Sequence, residues 1–204
     1  MGGHDGLQPK LREKASEVLR RLSPSEREAL LIKCWMSHDA RWFMAVAKEY
    51  GMEAANRLNR VAAHEVGKAE ARRIARALEL PEVRTIDDWL LRQEILLSFL
   101  GPELAEYQLT KHGSDTFQVH VHRCFAYENA VRAGISEHYE YGMLARITGW
   151  LDAQELGYAM TPPLGKCLKA TGNECLYRLV LAFGAESGHI EGGEVVEPAA
   201  GRSS

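Results

Sequence analysis

Apolar positions recur at the helical period from Leu31 through Cys34 and Trp35, His38, Trp42, and Ala45 and Val46. Just upstream, Ser23-Pro24-Ser25-Glu26 supplies a start signal, with proline at the first helical position and an acid in the first turn. The pattern predicts a helix from there to about Tyr50. At about 100° per residue, His38 falls within about 20° of Leu31 on the helical wheel, which assigns it to the buried face. Gly51 suits a helix C-cap because glycine tolerates the left-handed conformation. A second long helix is expected over 52–79, where Val61, His64, Ala71, Ala75 and Leu78 share one broad face and Gly67 leaves room for a neighbour. Pro81 ends it, and Thr85 can cap a third helix over 86–100, which Gly101-Pro102 closes. A flexible leader, 1–9, and a short amphipathic helix, 10–22, precede these.

Beyond Gly101 the period changes to two. Tyr107 to Thr110 and Phe117 to His122 alternate across a turn at His112-Gly113-Ser114-Asp115, the pattern of a β-hairpin. Helical spacing returns over 125–133 and 136–156, and Pro162-Pro163 breaks it. A second hairpin is expected from Lys166–Ala170 and Cys175–Leu181 around Thr171-Gly172-Asn173-Glu174. The fold class read from this order is α+β: long N-terminal helices packed with a C-terminal antiparallel sheet built from two hairpins separated by helices. We expect one compact domain, with a helical region over 10–101, an α+β ligand-binding-like region over 102–183 and a disordered tail over 184–204.

Composition narrows the function classes. The 204 residues are 46% hydrophobic and 26% charged with a formal net charge of -3, which predicts a water-soluble protein and argues against a nucleic-acid partner. Four widely spaced cysteines suit a reducing compartment rather than a disulfide scaffold. No stretch approaches the ~20 apolar residues of a membrane span, and Met1–Gly6 lacks the apolar segment of a secretory signal. The expectation is a cytoplasmic protein without a membrane partner. The helical half offers enough apolar surface for a homodimer.

Two clusters carry candidate chemistry. His38 lies thirteen residues before Gly51 and His64 thirteen after it, so a fold-back at Gly51 into an antiparallel pair would bring both rings to one level. Packed helices lie about 8–10 Å apart, and two inward imidazoles could share a divalent transition metal, zinc or iron, or a small ligand. Asp39 and Glu65, next to each histidine, are the candidate catalytic base or outer ligands. The alternative is a pair of polar side chains satisfied by buried hydrogen bonds. The second cluster is His120-Val-His-Arg-Cys124. Strict alternation puts His120, His122 and Cys124 on one face, a donor set that suits zinc. The alternative is a solvated sheet face with a buried cysteine. Trp35, Trp42 and Tyr127 are candidate walls of an apolar ligand pocket, or core. Cys167 and Cys175, on the limbs of the second hairpin, read as small core residues.

Two stretches resemble known families. Cys34-Trp-Met-Ser-His-Asp-Ala-Arg-Trp-Phe43 with Tyr50-Gly-Met-Glu-Ala-Ala-Asn56, and Cys124-Phe-Ala-Tyr-Glu-Asn-Ala-Val-Arg-Ala-Gly134 with Gly149-Trp150 and Lys169-Ala-Thr-Gly-Asn-Glu-Cys175, are similar to L-2-amino-thiazoline-4-carboxylic acid hydrolase-like proteins. Residues 104–183 also resemble the small-molecule-binding 4-vinyl reductase domain. The resemblance implies an antiparallel sheet packed on helices around a pocket for a small organic ligand. For the hydrolase relatives it implies water attack on a thiazoline carbon. Three readings result: a small-molecule-binding protein with a metal site between helices and sheet, a metal-dependent hydrolase of a thiazoline or amide-like C–N or C–S bond, and a non-catalytic interaction protein. In the hydrolase reading a metal-bound water is the nucleophile.

Overall fold

A computed structural model describes residues 7–101, 104–140 and 142–183. The expected tail and most of the expected leader lie outside the described residues. The chain divides into two units, 1–41 and 42–204, so the division falls within a helix rather than at the helix-to-sheet transition near 101.

The first unit holds α1 (Leu7–Leu19), which begins three residues earlier than expected, and the start of α2 (Pro24–Ala77). The start signal works as read. The Ser23 backbone N–H donates to Glu26 Oε2 at 2.8 Å, and the Glu26 N–H donates to Ser23 Oγ at 3.2 Å, a reciprocal capping box. From Leu31 to His38, however, the apolar stripe is uncovered: Leu31 is 64% exposed and His38 is exposed as well, as are Leu30 beside it and Leu11 of α1. Periodicity identifies which face of a helix is apolar. Burial needs a second element to cover that face, and no described element of this unit does.

In the second unit Gly51 interrupts α2 with φ 85° and ψ 165°, a conformation that disfavours any residue with a Cβ. Helical geometry resumes at once on either side. The position is a kink, where the sequence predicted a turn between antiparallel helices.

Beyond the kink α2 crosses α5 (Gly142–Ala153) at very short range. A Cβ on Gly67 would stand 2.2 Å from the Arg146 carbonyl oxygen, and one on Gly149 would stand 2.1 Å from that of His64. Glycine at both positions is therefore what lets the two backbones touch. Glu70 locks the crossing. It accepts from Arg146 Nε at 2.5 Å, and it also accepts from Arg146 Nη2 and from the Trp150 indole N–H. About four turns before Glu70 on α2, the Asn56 side chain donates to the His138 carbonyl at 2.6 Å and accepts from the Glu140 N–H at 3.1 Å. Those two bonds hold the chain extended at Tyr139, so the helix expected over 136–156 is split into a 3-10 turn at Ser136–His138 and α5.

Helix α3 (Ile86–Leu100) has the predicted bounds and the predicted Thr85 cap, completed by Asp88. Its inner face carries Trp89, Leu96 and Leu100 into one core with Leu144, Ile147, Trp150 and Leu151 of α5. The sheet supplies the rest: β1 (Ala105–Lys111), β2 (Thr116–Cys124), β3 (Gly157–Thr161) and β4 (Cys175–Ala182), all antiparallel in the order β1-β2-β4-β3. Phe117, Val119, Val121, Tyr177 and Leu179 point to the core at period two. The short helix α4 (Phe125–Arg132) follows β2. The expected α+β class and the first hairpin are present. The second hairpin differs in its first limb, because residues 168–171 form a 3-10 turn and β3 is the strand that pairs with β4. Two prolines and a glycine between β3 and that turn favour irregular chain, and the apolar run Gly157–Met160, which the sequence pattern assigns to no element, pairs instead.

Candidate functional site

The fold leaves a groove of about 500 Å³ where the end of α3 approaches the edge strand β1. Leu97, Leu100, Leu104, Leu109 and Met143 give it apolar walls. Alternation along β1 turns Tyr107 and Leu109 toward the core side of the sheet, and helical spacing brings Glu94 and Leu97 to face them. The Tyr107 hydroxyl donates to Glu94 Oε2 at 2.8 Å. Burial, reinforced by that hydrogen bond and by the Glu94 charge, pushes the Tyr107 phenol well above its ordinary pKa, so it stays a protonated donor. His122 and Glu106 complete the rim. Glu106 is held by Arg123 Nε at 2.9 Å, and the Lys169 ammonium donates to the His122 carbonyl at 2.8 Å.

The strand-borne cluster is rearranged by a β-bulge. Glu106 pairs with Arg123 and Tyr107 with Val121, so His122 is the extra residue. His120 and His122 remain neighbours on the outer face, their ring centroids 4.2 Å apart. Cys124 is shifted by one phase and is buried with the core. The three do not share a face and do not fit a common metal, because strict alternation fails at the bulge.

The two helix-borne histidines fall in different units. His38 is exposed in the first unit. His64 sits in the second, its Nε2 2.8 Å from Asp152 Oδ2 and its Nδ1 3.3 Å from Glu65 Oε1. Its ring thus ties α2 to α5 beside the glycine crossing. Asp39 is exposed on the first unit, and Glu65 is 63% exposed. Among the described residues, no group of three or more His, Cys, Asp or Glu side chains is arranged to hold a metal ion. Trp42 is 65% exposed and Trp35 39%, while Tyr127 is half-buried against the core, and none of them lines the groove. Cys167 and Cys175 are buried, as expected for small core residues. Desolvation pushes the Cys175 thiol up to about 12 and raises Cys167 too, which keeps both protonated and poorly nucleophilic.

The groove residues Glu94, Leu97 and Tyr107 were not singled out in the sequence. Tyr107 read as one strand position among several, and Glu94 only as part of the helix over 86–100. Their pairing depends on how α3 lies against β1, which no local spacing encodes.

The residues 22–139, more than half of the chain, match the model of a family of unknown function, DUF6125. The chain belongs to DUF6125. Its match includes α3, the first hairpin and hence both partners of the Glu94–Tyr107 pair, but carries no activity with it. No curated protein and no solved structure matches the chain. No helix of the described residues is long and apolar enough to cross a membrane.

Proposed function

We propose that the protein binds a small organic molecule in the groove between α3 and β1. The observation that carries this reading is the combination there of apolar walls with an oriented polar pair, Tyr107 and Glu94, in a cleft of about 500 Å³. Sites for small molecules have this make-up: mostly apolar lining, with a few fixed polar groups that orient the ligand. The Glu94 carboxylate accepts from a ligand donor, and the tyrosine holds the carboxylate in place. The resemblance of 104–183 to a small-molecule-binding domain supports the same reading.

The test is a thermal-shift screen of the full chain against neutral, anionic and cationic small molecules, with Leu97→Trp as the groove-filling variant. At a ligand concentration of about 100 Kd the native state gains about 2.7 kcal/mol. That corresponds to a rise in Tm of roughly 5–10 °C for a domain of this size. Leu97→Trp should fold and lose the response. A response that survives in Leu97→Trp, or no response to any compound, rejects the groove as the site.

A further inference from the structure

The groove between α3 and β1 carries charge of one sign. Glu94 and Glu106 line it, and no lysine or arginine is among its described lining residues. The cations borne by the surrounding elements are already engaged. On α3, Arg92 donates to Gln154 Oε1 at 3.1 Å and to the Pro81 carbonyl at 2.5 Å. On β1, the Lys111 ammonium donates to Asp87 Oδ1 at 2.6 Å. On β2, Arg123 donates to Glu106, and its Nη1 also lies 3.8 Å from Glu128 Oε2, so one guanidinium is shared by two carboxylates.

Glu94 has no such counter-ion among the described residues. Its side chain accepts one hydrogen bond, from the Tyr107 hydroxyl to Oε2 at 2.8 Å. The residue is exposed, so a molecule in the groove reaches it without opening the core. Burial, then the bond to Glu94 and its charge, keep the Tyr107 phenol protonated. With that proton directed at Oε2, Glu94 Oε1 and the lone pairs of the phenol oxygen are neighbouring acceptors that lack a donor. The apolar walls formed by Leu97, Leu100 and Leu109 lie beside them.

Resting on the reading that this groove binds a small molecule, we infer that its ligand is an apolar amine, bound as the ammonium ion on the Glu94–Tyr107 pair. The ammonium donates to Glu94 Oε1 and to the Tyr107 hydroxyl oxygen, and the carbon skeleton lies along the leucines. It supplies both things the pair lacks, a positive charge and N–H donors, and a charge-assisted bond is stronger than a neutral one. A carboxylate or phosphate would meet Glu94 and Glu106 as like charges, with every nearby cation already engaged. An alcohol brings a donor without charge. A quaternary ammonium brings charge without a donor.

Hexylamine, hexanol, hexanoate and hexyltrimethylammonium share one apolar chain and differ at the end group, so calorimetry of the full chain against the four is the test. Hexylamine should bind about threefold more tightly than hexanol, the scale of an ion pair open to solvent. It should bind about tenfold more tightly than hexanoate and more tightly than hexyltrimethylammonium. Its advantage over hexanol should shrink as salt is raised. Glu94→Gln keeps the shape and removes the charge at an exposed position, where substitutions are well tolerated. It should bring hexylamine level with hexanol. Equal affinity for hexylamine and hexanol, tighter binding of hexanoate, or a quaternary ion bound as tightly as hexylamine overturns the inference and leaves the groove reading standing. So does a preference for hexylamine that survives in Glu94→Gln or is indifferent to salt. If none of the probes binds, the inference falls, and the compound screen with Leu97→Trp decides separately whether the groove reading falls with it.

Discussion

Gly149→Ala tests whether the α2–α5 crossing organises the second unit. The added Cβ would stand 2.1 Å from the His64 carbonyl oxygen and 3.0 Å from the Lys68 backbone nitrogen, both main-chain atoms that cannot rotate aside. Ordinary contact therefore requires the two backbones to separate by about 1 Å, a strain of the kind that costs about 1–3 kcal/mol in a packed core. Separation also draws Glu70 away from Arg146 and Trp150. The Arg146 and Glu70 side chains are only 10% and 17% exposed, so loosening them leaves charge poorly solvated. Removing one partner of such a pair costs about 3–5 kcal/mol, and a partial loss of it adds to the steric strain. We expect a total near 3 kcal/mol or above, hence a fall in Tm of about 6–12 °C for a domain of this size. Differential scanning calorimetry with urea unfolding measures both quantities. Gly165→Ala, where an added Cβ meets nothing within 4 Å, is the control and should stay within about 0.5 kcal/mol of the parent. A Gly149→Ala protein as stable as that control would refute the reasoning.

Other outcomes follow from the same structure. Thr85→Ala should cost about 1 kcal/mol by opening the α3 cap, read from urea midpoints. The Thr85 hydroxyl and then the Arg84 backbone N–H hold the Asp88 carboxyl below its usual range, so its stabilisation is present above the unfolded-state value and fades as pH falls through the folded one. Asp88→Asn should remove that acid-side dependence. Burial, then the Asp152 charge, pushes the Tyr158 phenol up to about 12, so its contribution holds below about pH 10 and is lost as pH climbs toward 12. Phenolate absorbance should show this tyrosine, with Tyr107 and Tyr177, titrating late and together with unfolding. Of the four thiols, the exposed Cys34 alone should react rapidly with a thiol reagent in the native state, whereas Cys124, Cys167 and Cys175 should react only on unfolding.

Local chemistry made much of the fold legible from sequence. The Ser23 and Thr85 caps, the bounds of α3 and the β1–β2 hairpin are dictated by residues within a few positions of one another, so spacing alone reveals them. Gly51 could be identified as a backbone exception but not as kink or turn, because a positive φ permits both. The Leu31–His38 stripe was correctly read as apolar and wrongly as buried, since covering it depends on elements elsewhere in the chain. The bulge at His122 reversed the facing of Cys124 because register is settled between strands, not within one. The Glu94–Tyr107 pair and the Glu70 lock each require segments far apart in sequence to meet. Periodicity set the elements and their apolar faces; packing alone decided which polar groups found partners, because pairing depends on distances between elements that no local pattern contains.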